Sequence, residues 1–332
     1  MSRARSEETA TVNTPAADRD TPLVQGHEEP HVRTGETLDV LLGDYPHTRV
    51  LRDGTIPVAG ADCRFLSASP LHTAFPRMVR ALEFDVCEMP VATYLMARDA
   101  GVPLTLLPAV LIGATHHHSL TRLPDGPELD VRRLAGRRIG VRSYGQTTGL
   151  WVRGILREDY GVEASDVTWV TTEDAHVDTY VNPPNVRRSS AGGVAALLRA
   201  ADVDAAVLGP RAIGVQGVPL VPVIEDAEEA AAAWVERHGT VPANHLLVVR
   251  DDVLRSRPDA VTALFRALAR GIDETVGERD PATPAGRAVT AGCSDSLARC
   301  LEIAARYALE QGLVRTPVDL DRIHKDVAFL DA

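Results

Sequence analysis

The sequence predicts an α/β protein of two lobes with a ligand cleft between them. Three observations carry that prediction. Short runs of aliphatic and β-branched residues alternate with stretches of helical spacing, as in strands covered by helices on both faces. A complete α/β unit, 121–243, interrupts another, so that 37–120 and 244–332 read as one lobe and the interruption as the second. The chain's 332 residues, 45% of them apolar, exceed the usual size of one domain.

The elements follow in chain order. Residues 1–36 are polar and proline-containing, with no apolar run, and are expected to be a disordered tail. "LDVLLGD", "CRFLSA", "FDVCEMP" and "LTLLPAVLIG" read as buried strands, with helices in "PLHTAFPRMVRALE" and "PVATYLMARDAG". The inner unit gives strand "RIGVRS", a helix over 147–160, strand "VTWV", a proline-rich loop "VNPPNVRRSS", helix "GGVAALLRAA" and strand "DAAVLG". Gly161 stands where the 147–160 helix needs its terminating residue. Beyond an Ala/Glu-rich stretch, "HLLVVRDDVL" reads as a further strand. Val261, Leu264, Phe265, Leu268 and Ile272 then recur at helical spacing, and 252–330 reads as mostly helical. "HHHSLTR" and "ANHLLVVR" fall at the two crossings between lobes.

Composition excludes several function classes. A net charge of −11 without a Lys/Arg run argues against a nucleic-acid surface. Four cysteines without C-x-x-C spacing make neither a disulfide framework nor a redox motif, and read as packing residues. No stretch resembles a signal-peptide core or a membrane span, so a cytoplasmic protein without a membrane partner is expected.

The most informative stretch is "GVRSYGQTTGLWVRGILREDYGV", residues 140–162: a strand end, a polar turn and an amphipathic helix. The first N–H groups of a helix lack intrahelical partners, and with the dipole they suit a carboxylate. Gln146, Thr147 and Thr148 therefore either cap their own helix or hold an anion. His116, His117 and His118 invite a metal reading, but alternation along a strand end would split them, and two histidines without a placed third ligand make a weak zinc site. No metal is expected. Glu88, just before Pro90, either caps a helix or faces the cleft to orient a substrate hydroxyl or a histidine. Tyr45 follows the first strand at a mouth position.

Taken together, "GDYPHTRVLRDG", "FPRMVRALEFDVCEMPVATYL", "HHHS", "LAGRRIGVRSYGQTTGLWVRGILREDYGV" and "NHLLVVRDDVL" resemble the 4,5-dihydroxyphthalate decarboxylase family from about Leu38 onward. That resemblance implies a type II periplasmic-binding-protein-like fold whose lobes close over a ligand. It carries over Glu88, Met89, Tyr144 and Thr147, assigns His118 to the cleft through its His-Ser pair, and raises Arg77 and Arg153 as carboxylate contacts. Family members carry Ser-Glu-Met-Ser at Cys87–Pro90 and Tyr-Gln-Met-Thr at Tyr144–Thr147. The second difference falls on the anion-binding turn, so a related cyclic acid fits as well as phthalate.

The expected activity is nonoxidative decarboxylation of a hydroxylated aromatic or related cyclic carboxylic acid, without a cofactor because the ring itself accepts the electrons. His118 is the expected proton donor and His245 its competitor. Glu88 partners the substrate hydroxyl, and the Gln146–Thr148 turn with Arg153 anchors a remaining carboxylate. Two other readings stand beside it: a non-catalytic small-molecule binding or sensing protein, and a lyase resembling chorismate dehydratase. A homo-oligomer is compatible with either.

Overall fold

The computed structural model describes residues 37–208, 220–276 and 288–319. The expected N-terminal tail and the helical residues anticipated after 319 lie outside the described residues.

The first passage runs β1 (Thr37–Leu41), α1 (Pro46–Arg52), β2 (Asp62–Leu66), α2 (Phe75–Ala81), β3 (Val86–Pro90), α3 (Val91–Asp99) and β4 (Leu104–Gly113). Every residue of β3 is buried, so VCEMP shows no polar alternation. Glu88 lies inside this strand, not in a cap after it, and Pro90 is the residue before α3. The chain then crosses into β5 (Leu120–Arg122), β6 (Arg138–Val141), α4 (Thr147–Tyr160), β7 (Thr168–Thr171), β8 (Val186–Arg188), α5 (Val194–Arg199), β9 (Ala205–Val207), β10 (Val221–Pro222) and α6 (Ala227–His238). Gly161 ends α4 as expected, at φ 68°, its N–H donating to the Arg157 carbonyl and the Val162 N–H to the Leu156 carbonyl. The stretch expected to be a proline-rich loop contains edge strand β8. Its prolines precede the strand and so leave the ladder with β7 intact.

The return passage is β11 (Ala243–Arg250), α7 (Asp251–Ser256), α8 (Pro258–Val276), β12 (Thr290–Ala291) and α9 (Asp295–Glu310). The strand read over "HLLVVRDDVL" stops at Arg250, because Asp251 and Asp252 suit the first turn of a helix.

Two six-stranded sheets result, in the orders β12-β4-β11-β3-β1-β2 and β10-β5-β9-β6-β7-β8. Each has a parallel block, β2-β1-β3 in one and β8-β7-β6-β9 in the other. Each also accepts one strand that has just crossed from the other: β11 runs antiparallel to both β3 and β4, and β5 to both β9 and β10. The two crossings therefore set both sheets side by side with their parallel strand ends available to one cleft.

The largest core cluster draws on both sheets and on α3, α4 and α9. At its centre Trp151 meets Trp234 and Tyr307 edge to face, with ring centroids 6.0 and 5.8 Å away. The Trp151 Nε1–H donates 2.9 Å to the Ala243 carbonyl, tying α4 to the start of β11. Gly154 permits this packing, since a Cβ there would lie 2.0 Å from the Tyr307 ring. Cys87 and Cys300 are buried, whereas Cys293 is exposed and does not serve the packing role expected of it. Among the described residues no helix is long and apolar enough to cross a membrane.

Candidate active site

A cavity of about 1150 Å³ opens where β1, β3 and β6 end. Tyr45, Pro90 and Gln146, the residues that precede α1, α3 and α4, all line it. Three helix N-termini thus border one space. Their dipoles make that space favourable to anions.

One wall holds a buried carboxylate behind an imidazole. The β3–β11 register sets His245 opposite Pro90 and Leu247 opposite Glu88, bringing Glu88 and His245 together from positions 157 apart in sequence. Glu88 is fully buried and accepts three hydrogen bonds: from the Gly43 N–H at 2.7 Å, the Tyr45 hydroxyl at 2.7 Å and His245 Nδ1 at 2.5 Å. A carboxylate can only accept, so Nδ1 carries a proton and Nε2 is the nitrogen left for the cavity. Burial alone would raise the Glu88 carboxyl, but the His245, Gly43 and Tyr45 bonds outweigh it and hold the group below the ordinary carboxylate range. The Phe75 ring stands edge-on to His245 at 5.3 Å and limits its rotation.

The opposite wall comes from the second sheet. Thr148 lines the cavity, while Thr147 Oγ1 accepts from the Ala92 N–H at 3.1 Å and joins the starts of α3 and α4. Arg142, directly after β6, pairs with Glu173 at 2.7 Å. His176 bonds Thr93 Oγ1 through Nδ1 at 2.8 Å. Burial, reinforced by the Arg142 charge, pushes its pKa down to about 3, so the ring is neutral. On the first-sheet side Arg49 pairs with Asp44, and Arg52 donates to the Leu42 carbonyl at 2.9 Å and to Ser67 Oγ at 2.5 Å.

The structure brings Tyr45, Gln146, Thr147, Thr148 and His245 to the cavity wall and leaves the other expected residues elsewhere. Glu88 lies one layer behind and reaches the cavity only through His245 and Tyr45, so it orients the histidine and cannot touch a substrate hydroxyl. His118 does not line the cavity. His117–Ser119 is a 3-10 turn rather than a strand end, and burial, with the neighbouring His117, lowers the pKa of His118. The three histidines diverge for the same reason: His116 bonds Asn244 at 2.8 Å, and His117 lies 3.6 Å from Asp159. Among the described residues no group of three or more His, Cys, Asp or Glu is placed to hold a metal ion.

Arg77 is paired with Glu83 and lies over Phe84, away from the cavity. Arg153 is 1% exposed and points inward from α4: it donates 2.7 Å to Gln311 Oε1 and 2.7 Å to the Tyr144 carbonyl, and its guanidinium stacks 4.0 Å from the Tyr144 ring centre. Tyr144 itself is buried and donates to the Gln311 carbonyl at 3.3 Å. These two side chains fasten α4 to the end of α9 and do not line the cavity. The sequence reading missed Arg52, Thr93, Arg142 and His176. Arg142 had a readable signal, its place immediately after a strand and before the polar turn. The loop residue His176 had none.

Residues 72–282 match the family described as NMT1/THI5 like. The chain is 32% identical over 247 residues to 4,5-dihydroxyphthalate decarboxylase of Comamonas testosteroni, covering 69% of this chain and 73% of the relative. It is 33% identical over 223 residues to 4,5-dihydroxyphthalate decarboxylase of Pseudomonas putida, covering 62% and 84%. Its fold is similar to that of the periplasmic aliphatic sulphonate binding protein SsuA from Escherichia coli, with a TM-score of 0.56 over 86% of this chain and 96% of that one at 14% identity. The architecture is therefore periplasmic-binding-protein-like.

Proposed function

Because this chain belongs to the 4,5-dihydroxyphthalate decarboxylase family and is a carboxy-lyase, we propose that it removes CO2 nonoxidatively from a hydroxylated aromatic or related cyclic polycarboxylic acid bound in the cavity between its sheets. The observation that carries the reading is the His245 imidazole, held at the cavity wall by a buried carboxylate. Loss of CO2 from a ring needs a proton at the carbon that bears the carboxylate, and a place for electrons while aromaticity is broken. His245 Nε2 gives that proton. The C–H bond forms at the expense of ring π electrons, a lone pair of the hydroxyl oxygen gives a protonated-dienone-like cation, and the C–C bond to CO2 then breaks as its electron pair neutralises that cation and restores the ring. His245 regains a proton from water entering the open cleft. Glu88 acts as a positioning residue: it accepts the Nδ1 proton in a hydrogen bond and so turns Nε2 toward the cavity.

The neutral His176, fixed by Thr93, offers an uncharged partner to the ring hydroxyl. Thr148 and the free N–H groups that open α4 suit a substrate carboxylate. The test is mass spectrometry and CO2 detection on a panel of hydroxylated aromatic and cyclic polycarboxylic acids. The proposal expects CO2 and a decarboxylated product. Loss of water without CO2 would identify a dehydratase-like lyase, and tight binding without turnover a sensor; either result overturns the reading.

A further inference from the structure

We propose that Arg52 anchors the substrate carboxylate that stays on the ring. Among the described residues three arginines line the cavity. Arg49 is tied to Asp44, and Arg142 to Glu173. Among the described residues Arg52 has no carboxylate within ion-pair distance. Its two hydrogen bonds go to neutral acceptors, the Leu42 carbonyl and Ser67 Oγ. These struts fix the guanidinium plane without neutralising it, and three of its five N–H donors remain for a ligand.

Its position is tied to the reacting group through a single peptide unit. The Leu42–Gly43 peptide accepts from Arg52 on its oxygen and donates from its nitrogen to Glu88, whose other oxygen holds His245. Adding these hydrogen bonds across the width of one peptide puts the guanidinium at most about 8 Å from the Glu88 carboxylate. A six-membered ring seated in the cavity can then turn one carboxylate to the guanidinium and the adjacent carbon, which bears the leaving carboxylate, to the imidazole. The carboxylate that leaves loses its charge as the C–C bond breaks, so a strong ion pair to it would oppose the reaction. The carboxylate that stays keeps its charge throughout and gains equally in ground and transition states. Arg52 fits the second role.

The identity of the anchored carboxylate rests on the decarboxylase reading, whereas the existence of the anchor does not. The experiment therefore measures binding and turnover separately. Calorimetric titration with benzene-1,2-dicarboxylate compares the unmodified protein with Arg52→Gln, Ser67→Ala and Arg49→Gln, and the KM and kcat for 4,5-dihydroxyphthalate follow. Arg52→Gln should weaken the dicarboxylate about tenfold or more, as for loss of a charge-assisted contact. Ser67→Ala, which keeps the charge but removes a strut, should weaken it about two- to fivefold, and Arg49→Gln less than about threefold. KM should rise with the dissociation constant while kcat stays within about threefold. The proposal is overturned if Arg52→Gln binds within threefold of the unmodified protein, if Arg49→Gln loses as much, if kcat falls in place of KM, or if the unmodified protein has no affinity for the probe. If Arg52→Gln fails to fold, unchanged affinity in Ser67→Ala overturns it. Absence of CO2 with the binding pattern intact would sink the decarboxylase reading and leave the anchor standing.

Discussion

Replacing Glu88 by Gln preserves shape and removes one acceptor from a place that needs two. In the protein one carboxylate oxygen serves Gly43 N–H, and the other serves both Tyr45 OH and His245 Nδ1. A carboxamide facing its oxygen toward Tyr45 and His245 sets its NH2 against the Gly43 N–H, donor against donor. Reversed, it forces His245 to give up the Nδ1 proton. Either arrangement leaves a buried polar group unsatisfied, at a cost of about 1–3 kcal/mol in stability. Neither reproduces the pairing that holds the ring with Nε2 facing the cavity. Turnover should fall about a hundredfold or more, equivalent to about 2.7 kcal/mol of barrier. The substrate dissociation constant should stay within about threefold, because Glu88 is 0% exposed and cannot touch a ligand. Single-turnover kinetics with calorimetric titration separates the two effects. Stability adds an independent check. The Glu88 carboxyl is held below its ordinary value of 4.5, so its contribution is complete above that pH and is lost as the pH falls through the lower folded value. The melting-temperature gap between the unmodified protein and Glu88→Gln should therefore be widest near neutrality and narrow in acid. Turnover within threefold of the unmodified enzyme, or a rise in dissociation constant that accounts for the whole loss, would refute the reasoning.

Three further outcomes follow from the same geometry. His118→Ala should keep kcat within about threefold in a CO2-release assay, because that ring lies outside the cavity; a hundredfold loss would restore it as the proton donor. Thr147→Val removes the acceptor of the Ala92 N–H and should cost about 1–3 kcal/mol in denaturant unfolding, with substrate binding changed less than in Thr148→Val. Gly154→Ala forces a methyl onto the Tyr307 ring and should destabilise by about 1–3 kcal/mol or more, visible as a lower melting temperature with the unfolding m-value unchanged.

Local features of the sequence were enough to determine strands β1–β4, β6, β7 and β9, helices α2–α5, and the limits of α4 with its terminating Gly161. Each depends on periodicity or on a backbone preference that acts within a few residues. The 3-10 turn at His117–Ser119 and the edge strand β8 escaped that reading, because one is set by the crossing between sheets and the other by pairing with β7. For the site, the sequence supplied candidate chemistry but could not sort it. Arg153 and Arg52 are both single arginines on helices. The first points into the seam between α4 and α9 and the second into the cavity, and only helix packing decides which. His118 and His245 both sit at crossings, yet only His245 enters a register opposite β3 that hands it the Glu88 carboxylate. Contacts between residues so far apart in the chain leave no local trace, so the fold could be read along the sequence while the membership of its active site could be read only across it.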